Sequence, residues 1–409
     1  MLLTLNVSDI SMFQTLSDNI QHPYTNPPYT SSLESVVTNP VLSSTYQRQL
    51  QQINFKNGKV TFGLSLNDRQ DVSNTNVKSL NTIIIYSYNY STEQYSIQKT
   101  ITLYQSYFSG FPNDYTTKRL RLDSVYISDA SGTVIQRYRF DYDNSIAVPS
   151  YSTLARDYWG YFNNRSNSSL IPQQQVFFQA ENYSTNLTVG SDNPIGREPD
   201  QNNAQLCILK TITYPTGGHT DFKFESNRYT DNGNEKLGGG LRIKTIKSYD
   251  GLNPNPVVKT YKYENARKNF NLESSSFIKE QTYRFFGQDN GIRGTVLRAT
   301  KRLRTFMSNP IIDLIPFDGA TVVYPMVTEF TGNETVNTGK TVYTFRDHVD
   351  QVFGSWPTFD RPVVNSYFYA RGQLLGKDQY LIKNDGTYQI VQKDAMEYAA
   401  FPETGYADI

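Results

Sequence analysis

The sequence has little of what metal sites, disulfide-stapled folds and nucleic-acid-binding surfaces require. Its 409 residues include one cysteine and three histidines, and the formal net charge is +1. Cys207 has no partner for an intrachain disulfide, and its apolar neighbours predict a buried thiol. His22, His219 and His348 lack the spacing of a metal site, so we predict surface histidines and no bound metal. The balanced charge gives no reason to expect a nucleic-acid partner.

Long apolar runs and catalytic motifs are also missing. No run of 18 apolar residues occurs, so no membrane span is expected. Residues 1–13 lack the basic and apolar regions of a signal peptide, which suggests an internal start within a longer coding sequence. No nucleophile elbow, P-loop or dinucleotide fingerprint is present, so we predict no catalytic residue and no cofactor. A glycoside hydrolase would need two facing carboxylates, and the sequence places no such pair. We therefore rank an enzyme of this kind below the two functions discussed at the end of this section.

Aromatic residues are what the chain has in quantity. It contains 31 tyrosines and 23 phenylalanines, whereas its apolar fraction is only 37%. Tyrosine suits strand surfaces because its ring is apolar and its hydroxyl reaches water. The composition therefore predicts broad sheets with hydrated faces and thin cores, and the length predicts several sub-cores or an elongated array.

Alternating patterns around turn residues predict a series of β-hairpins, most clearly within 206–264. There, two strand-like runs flank a Pro-Thr-Gly-Gly turn, and a second pair follows. Hairpins are predicted at 53–66, 82–104, 120–142, 208–225 and 241–263, with further pairs at 324–345 and 371–391. The predicted fold is all-β: an extended array of antiparallel hairpins that form large twisted sheets, as a shell or a sandwich-like scaffold, with little helix.

Four segments follow from this pattern. Residues 1–50 are an extended or poorly ordered lead with one short helix near 38–52, and residues 51–145 are a hairpin array. Residues 146–205 are a long loop excursion that carries an aromatic cluster. The array continues over 206–409, with one or two short helices within 265–310.

Several local patterns carry their own predictions. The Asn57-Gly58 pair is typical of a type I′ turn with positive φ at both residues. Residues 238–240, three consecutive glycines, are predicted to be turn glycines, because a strand and not a helix follows them. The segment 231–235 has the composition of a calcium loop but lacks its ligand pattern. The densest basic group is predicted to be a solvated face; it comprises Arg298, Lys301, Arg302 and Arg304.

The aromatic cluster 157–162 is the one candidate ligand-binding site, through Tyr158, Trp159 and Tyr161. Flat rings beside carboxylate and amide groups can stack against a sugar. The alternative is that the rings fasten the long loop onto a sheet, with Trp159 buried and its indole N–H bonded to protein. We favour the fastening role, because Gly160 lets the backbone turn tightly; Trp356 receives the same interpretation.

An ordered series of segments resembles the upstream region of large Rhs-like, YD-repeat-related proteins of Bacteroidetes, over about residues 50–400. The segments are DYWGYFN (157–163), YPTGGHTDFKFE (214–225), GGLRIKTIKSYD (239–250), KTYKYE (259–264), YPMVTEF (324–330), TVYTF (341–345) and RGQLLGKDQY (371–380). The sequence departs from the family's pattern after Trp159, and the tandem tyrosine-aspartate repeats are only loosely represented.

The resemblance implies a piece of a large secreted or cell-surface bacterial protein whose hairpins wind into a shell or scaffold. In such relatives the activity lies in a variable C-terminal domain, and neither that domain nor the self-cleaving core motif occurs here. The leading hypothesis is therefore a non-catalytic structural scaffold segment. Its partner is the remainder of a larger polypeptide or a secretion or toxin assembly. The alternative is a binding module that recognises a glycan or a cell-surface partner through exposed aromatic rings.

Overall fold

In a computed structural model the protein is all-β. The structure describes residues 2–20, 32–47, 49–73, 76–179, 184–268, 277–289, 292–310, 320–348, 351–353, 363–365, 367 and 369–398. These residues contain no α-helix, and within them no helix is long and apolar enough to cross a membrane. The predicted fold class is confirmed: nearly all of the regular structure of these residues is strand, in large antiparallel sheets.

The described strands are numbered in chain order. They are β1 (Leu2–Ile20), β2 (Ser32–Leu33), β3 (Val37–Gln47), β4 (Gln52–Phe55), β5 (Gly58–Leu64), β6 (Leu80–Asn89), β7 (Gln94–Ser109), β8 (Lys118–Ser128), β9 (Val134–Tyr142), β10 (Gln174–Gln179), β11 (Ser184–Val189), β12 (Leu209–Thr213), β13 (His219–Asp231), β14 (Asn234–Tyr249), β15 (Val257–Glu264), β16 (Arg267–Lys268), β17 (Ile278–Asp289), β18 (Ile292–Met307), β19 (Val322–Val323), β20 (Met326–Gly332), β21 (Asn337–Phe345), β22 (Gln351–Phe353), β23 (Val363–Asn365), β24 (Leu374–Ile382) and β25 (Tyr388–Ala395). Two short 3-10 helices lie at Tyr115–Thr117 and Asn203–Gln205.

Fourteen strands form one open sheet in the order β25-β24-β21-β20-β15-β14-β13-β12-β9-β8-β7-β6-β5-β4. Each strand is antiparallel to its neighbours, and the chain fills the positions one after another from β4 to β25. It leaves this large sheet three times, after β9, β15 and β21, and each time returns to the next position. The predicted hairpins at 53–66, 82–104, 120–142, 208–225 and 241–263 are confirmed as neighbouring pairs in this sheet.

The faces of the large sheet are hydrated. Within its described strands the buried hydrophobic side chains are Phe108, Tyr229 and Phe330, and most other side chains are half-buried on both faces. Cations that lie over tyrosine rings on adjacent strands supply cross-strand contacts instead. The Lys59 ammonium on β5, for example, lies 5.1 Å from the ring centroid of Tyr86 on β6.

The main described hydrophobic core lies outside the large sheet, where the lead meets two of the excursions. β1 pairs with β18, β2 and β3, and β17 pairs with β18, which makes a five-stranded sheet. The β10–β11 hairpin of the first excursion packs against this sheet. The core comprises Met12, Leu16, Leu170, Ile171, Val176, Phe178, Val189 and Phe306.

The helix predicted near 38–52 is wrong, because residues 38–47 lie in β3 and β4 begins at Gln52. Within 265–310 the described strands include the long hairpin β17–β18, whereas residues 269–276 lie outside the described residues, so the short helices predicted for this segment stay a prediction. β3 and β18 both pair with β1, which lies more than 250 residues from β18 in sequence. The place of β18 in its sheet therefore depends on a distant backbone partner and not only on a local alternating pattern. The segment 146–205, expected as a loop, likewise contributes a hairpin to the core.

The prediction for the Asn57-Gly58 turn also needs correction. The first hairpin turns at Lys56-Asn57, neither of which has positive φ, and Gly58 begins β5 opposite Phe55. Gly58 is close to the next strand instead, because a Cβ there would lie 2.1 Å from the carbonyl oxygen of Tyr86. Positive φ at both turn residues occurs at Asn232-Gly233, with φ of 49° and 79°, between β13 and β14. The calcium-like composition of 231–235 thus belongs to a tight hairpin turn.

The basic group on β18 is not a solvated face. Asp18 on β1 is fully buried, and its carboxylate accepts hydrogen bonds from Arg302 (Nε–Oδ1 2.9 Å) and Arg304 (Nη2–Oδ2 2.9 Å). The Gln179 backbone N–H donates to the same carboxylate at 3.2 Å, which ties β10 to β1 and β18. The prediction failed because these cations point at an acid 284 residues away, while the side chain of Arg298 is outside the described part.

Candidate functional site

The aromatic loop, defined as residues 157–162, is folded around the carboxylate of Asp157. Its Oδ1 accepts hydrogen bonds from the backbone N–H groups of Trp159 and Tyr161, each at 2.9 Å. The Asp157 N–H donates to the Tyr161 carbonyl at 2.8 Å, and Gly160 has φ of +92°. A short acceptor side chain followed by a left-handed glycine is the combination that a tight turn needs. The turn presents the rings of the loop to the large sheet.

The surface that receives these rings is the glycine strip, defined as Gly238, Gly239 and Gly240. The prediction that these are turn glycines is wrong, since all three are buried within β14. A Cβ on Gly239 would lie 2.6 Å from the Cβ of Trp159, and one on Gly240 would lie 2.9 Å from the Tyr161 ring. Real Cβ atoms do not approach this closely, so only glycine lets the loop dock on the strand.

Arg197 fastens the other side of the aromatic loop to the core. Its buried guanidinium donates to the Asp157 carbonyl (Nη2–O 3.0 Å), to the Leu170 carbonyl and to the Ser308 carbonyl (Nη1–O 3.3 Å). The same guanidinium lies 5.3 Å from the ring centroid of Tyr158. The aromatic loop therefore joins the large sheet to the core, through the glycine strip on one side and Arg197 on the other.

The three candidate ligand-binding rings face different surroundings. Tyr158 is half-buried with its ring 5.8 Å from that of Phe277, and Trp159 is half-buried on the glycine strip. Within the described part of the chain the indole N–H of Trp159 has no hydrogen-bond partner, contrary to our expectation. Tyr161 is 40% exposed, and Trp356 lies outside the described residues. Ligand binding by Tyr158, Trp159 and Tyr161 stays a prediction.

Burial dominates the electrostatics of the aromatic loop. It raises the pKa of the Asp157 carboxyl from 3.8 to about 7, although the N–H groups of Tyr161 and Trp159 oppose the shift. Burial also raises the pKa of the Tyr158 and Tyr161 hydroxyls. Near neutral pH the loop is thus organised around a carboxyl that titrates, whereas its tyrosines remain neutral.

The other residues singled out in the sequence do not converge on this loop. The ring of His219 stacks on Tyr249 at 4.2 Å, His348 is exposed, and His22 lies outside the described residues. Cys207 is half-buried, not fully buried, and has φ of +61°; burial raises the pKa of its thiol to about 11. Among the described histidine, cysteine and acidic residues, no group could hold a metal ion.

Sequence reasoning singled out the aromatic loop but missed Arg197 and the role of the glycine strip. A usable signal was present: three small residues inside a strand-like run, and a Tyr-Trp-Gly-Tyr cluster elsewhere that needs a place to pack. In comparisons with known proteins, no family model and no curated protein matched the sequence. The resemblance to Rhs-like proteins stays a prediction from the quoted segments alone.

Proposed function

We propose that the chain is a non-catalytic scaffold segment of a larger exported or cell-surface protein of the Rhs or YD-repeat kind. In this role it holds other parts of the polypeptide in place and carries out no reaction. The secreted or cell-surface location and the partners, the remainder of the polypeptide or a secretion or toxin assembly, belong to the same proposal. They follow from the resemblance stated above.

The observation that supports this role best is the open fourteen-stranded sheet. Its order follows the chain, its described edge strands are β4 and β25, and its faces carry few buried side chains. An open sheet has unpaired backbone groups along its edges, which further strands can extend. The chain leaves the sheet in three long excursions, and each time it returns to the next strand position. Such an architecture supports inserted segments better than it builds an enclosed active site.

The test is to place an epitope tag in the exposed turn 384–386 of the chromosomal gene. We expect the tag on a polypeptide longer than 409 residues that external protease can reach on intact cells or in the medium. A tagged product of the size of this chain, confined to the cytoplasm, would contradict the proposal.

A second test addresses the scaffold role itself. Leu16 is fully buried in the core, whereas Leu66 is 95% exposed. Leu16→Asp should sharply reduce the amount of the exported polypeptide, because an unpaired charge in the core unfolds the segment. Leu66→Asp is the matched control and should leave export unchanged. Equal export of both variants would contradict the scaffold role, because the rest of the polypeptide would then not depend on a folded segment.

The second candidate function is recognition of a glycan or a cell-surface partner by the aromatic loop, and the exposure of Tyr161 favours it. Exposed aromatic rings provide flat apolar surface for the faces of sugars. Tyr161→Ala removes the exposed ring but leaves the Asp157 turn intact. Loss of retention on immobilised polysaccharide, with unchanged stability, would establish this function. Unchanged retention, or no retention by the parent protein, would exclude it.

A further inference from the structure

A cleft of about 350 Å³ lies beside the aromatic loop, where β8 meets the first excursion. Its lining falls into two parts. One part is cationic and comprises Arg119 and Arg156, with Tyr151 between them; the other is apolar and includes Val148 and Phe162. A volume of this size suits a small organic molecule, and the division of the wall suits one with an anionic end and an apolar body.

Arg119 has hydrogen-bonding capacity left for a ligand. Its Nη1 donates to the carbonyls of Thr116 (2.8 Å) and Lys118 (2.7 Å), and its Nη2 donates to the Pro149 carbonyl at a long 3.5 Å. A guanidinium has five N–H groups. The Nε–H and one Nη2–H of Arg119 thus have no hydrogen-bond acceptor among the described residues. These two groups form the edge that binds a carboxylate through two parallel hydrogen bonds.

Two carboxylates near the cleft already have cationic partners, and a third, Asp114, accepts a hydrogen bond from the Thr116 backbone N–H at 2.8 Å. Asp71, whose charge acts on Arg119, is bound by Arg69 (Nη2–Oδ2 2.7 Å). Asp143, which acts on Cys207 in the cleft wall, is bound by Lys210 (Nζ–Oδ2 2.8 Å). Burial lowers the pKa of Arg119, as expected of a half-buried cation that contacts carbonyls in place of a carboxylate. A bound anion would supply the missing countercharge.

We propose that this cleft binds a small organic carboxylate, with its two oxygens on Arg119 and a compact apolar ring against Val148 and Phe162. Arg156 also lines the cleft and contributes positive charge. Its Nε donates to the Thr153 carbonyl at 2.8 Å, which fixes the guanidinium in the wall. The apolar wall favours an aromatic acid over a sugar acid, since a sugar would leave its hydroxyl groups against Val148 and Phe162.

The probes are benzoate and glucuronate, each with its neutral counterpart, benzamide and glucose, measured by calorimetry at low ionic strength. We expect benzoate to bind at least about tenfold more tightly than benzamide and than glucuronate. Arg119→Gln should weaken benzoate binding by about tenfold or more. Arg137→Gln removes an exposed guanidinium that lies over Tyr126 on the large sheet, and should leave binding unchanged.

Because Arg119 also donates to three carbonyls, its replacement could unfold the site. Ser150→Phe keeps both arginines but fills the cleft, and it should abolish benzoate binding while circular dichroism stays unchanged. Equal binding of benzoate and benzamide, or parent-like binding in the Ser150→Phe variant, would overturn the proposal. Tighter binding of glucuronate than of benzoate would refute the apolar half of the assignment, and no binding at millimolar concentration would refute the site.

Discussion

At the residue scale, the packing on β14 depends on its three consecutive glycines, because a side chain at any of them would overlap a neighbour. The glycine strip has neighbours on its open side at every position: Val322 at Gly238, Trp159 at Gly239 and Tyr161 at Gly240. Glycine in a strand interior normally weakens the strand, so three in a row require a compensating contact. The aromatic loop supplies that contact for two of them.

Gly239→Ala should destabilise the protein by about 1–3 kcal/mol, because the new methyl group overlaps the Trp159 side chain. The measurement is chemical denaturation followed by tryptophan fluorescence. Gly376→Ala is the matched control in the same sheet, where an added Cβ meets its nearest neighbour at an ordinary 3.6 Å. Equal midpoints for the two variants would show that the indole does not pack on the strip.

Asp157 gives the aromatic loop a dependence on pH. The folded protein retains a proton on this carboxyl up to about pH 7, whereas the unfolded chain loses it near 3.8. Between these values the folded state binds the extra proton, so the contribution to stability is fully present below pH 3.8 and is lost as the pH rises through 7. Asp157→Asn keeps an oxygen acceptor for the two backbone N–H groups and removes the titration.

We therefore expect the parent protein to melt at a lower temperature at pH 8 than at pH 5, and this difference to shrink in Asp157→Asn. The measurement is thermal unfolding at both values of pH. Asp385→Asn serves as the control, since that carboxyl caps an exposed turn and its pKa is lowered. A pH dependence that persists in Asp157→Asn would assign it to other groups.

At the element scale, one buried carboxylate connects three strands. Asp18 on β1 receives hydrogen bonds from Arg302 and Arg304 on β18, and Arg304 also donates to the Phe177 carbonyl on β10 at 2.6 Å. Burial lowers the pKa of Arg304, and its Nε is a buried donor without a partner. The cluster is therefore sensitive to the loss of the Asp18 charge, since Glu280, the other carboxylate that acts on both arginines, is exposed.

Asp18→Asn should lower the free energy of unfolding by about 3–5 kcal/mol, because Arg302 and Arg304 lose their buried countercharge. Glu235→Gln breaks the exposed ion pair with Arg228 and should cost less than about 1 kcal/mol. Urea denaturation of both variants is the measurement. Similar midpoints would indicate that water reaches the Asp18 cluster.

The elements that could be predicted from sequence are those whose partner is the next strand along the chain. Hairpins such as β6–β7 show alternation and a polar turn, and both signals are local. The pairing of β1 with β18 could not be predicted, because these strands are distant in the sequence and their inward residues include Asp18 and Arg304. β17 pairs with the next strand, β18, so distance does not explain why this hairpin was not predicted. The aromatic loop is a local cluster and could be recognised in the sequence. The glycine strip on which it packs lies about 80 residues later in β14, and it was mistaken for a turn.

At the scale of the whole molecule, the large sheet and the core are separate in composition but joined at the aromatic loop. The sheet has hydrated faces and few buried side chains, while the core gathers the lead and two excursions. Hydrophobic burial is the main source of folding free energy, so the core supplies much of the stability of the protein. The large sheet is stabilised by its contact with the core through the aromatic loop. A sheet joined to a hydrophobic core in this way can remain folded although few of its own side chains are buried.

The most direct test of this junction is hydrogen exchange, read by mass spectrometry, in the parent protein and in Trp159→Ala. Removal of the indole should cost about 3 kcal/mol and accelerate exchange both in β14 and in the core segment 169–178, since the loop connects them. Acceleration confined to residues 157–162, with unchanged protection in β14 and the core, would contradict the account.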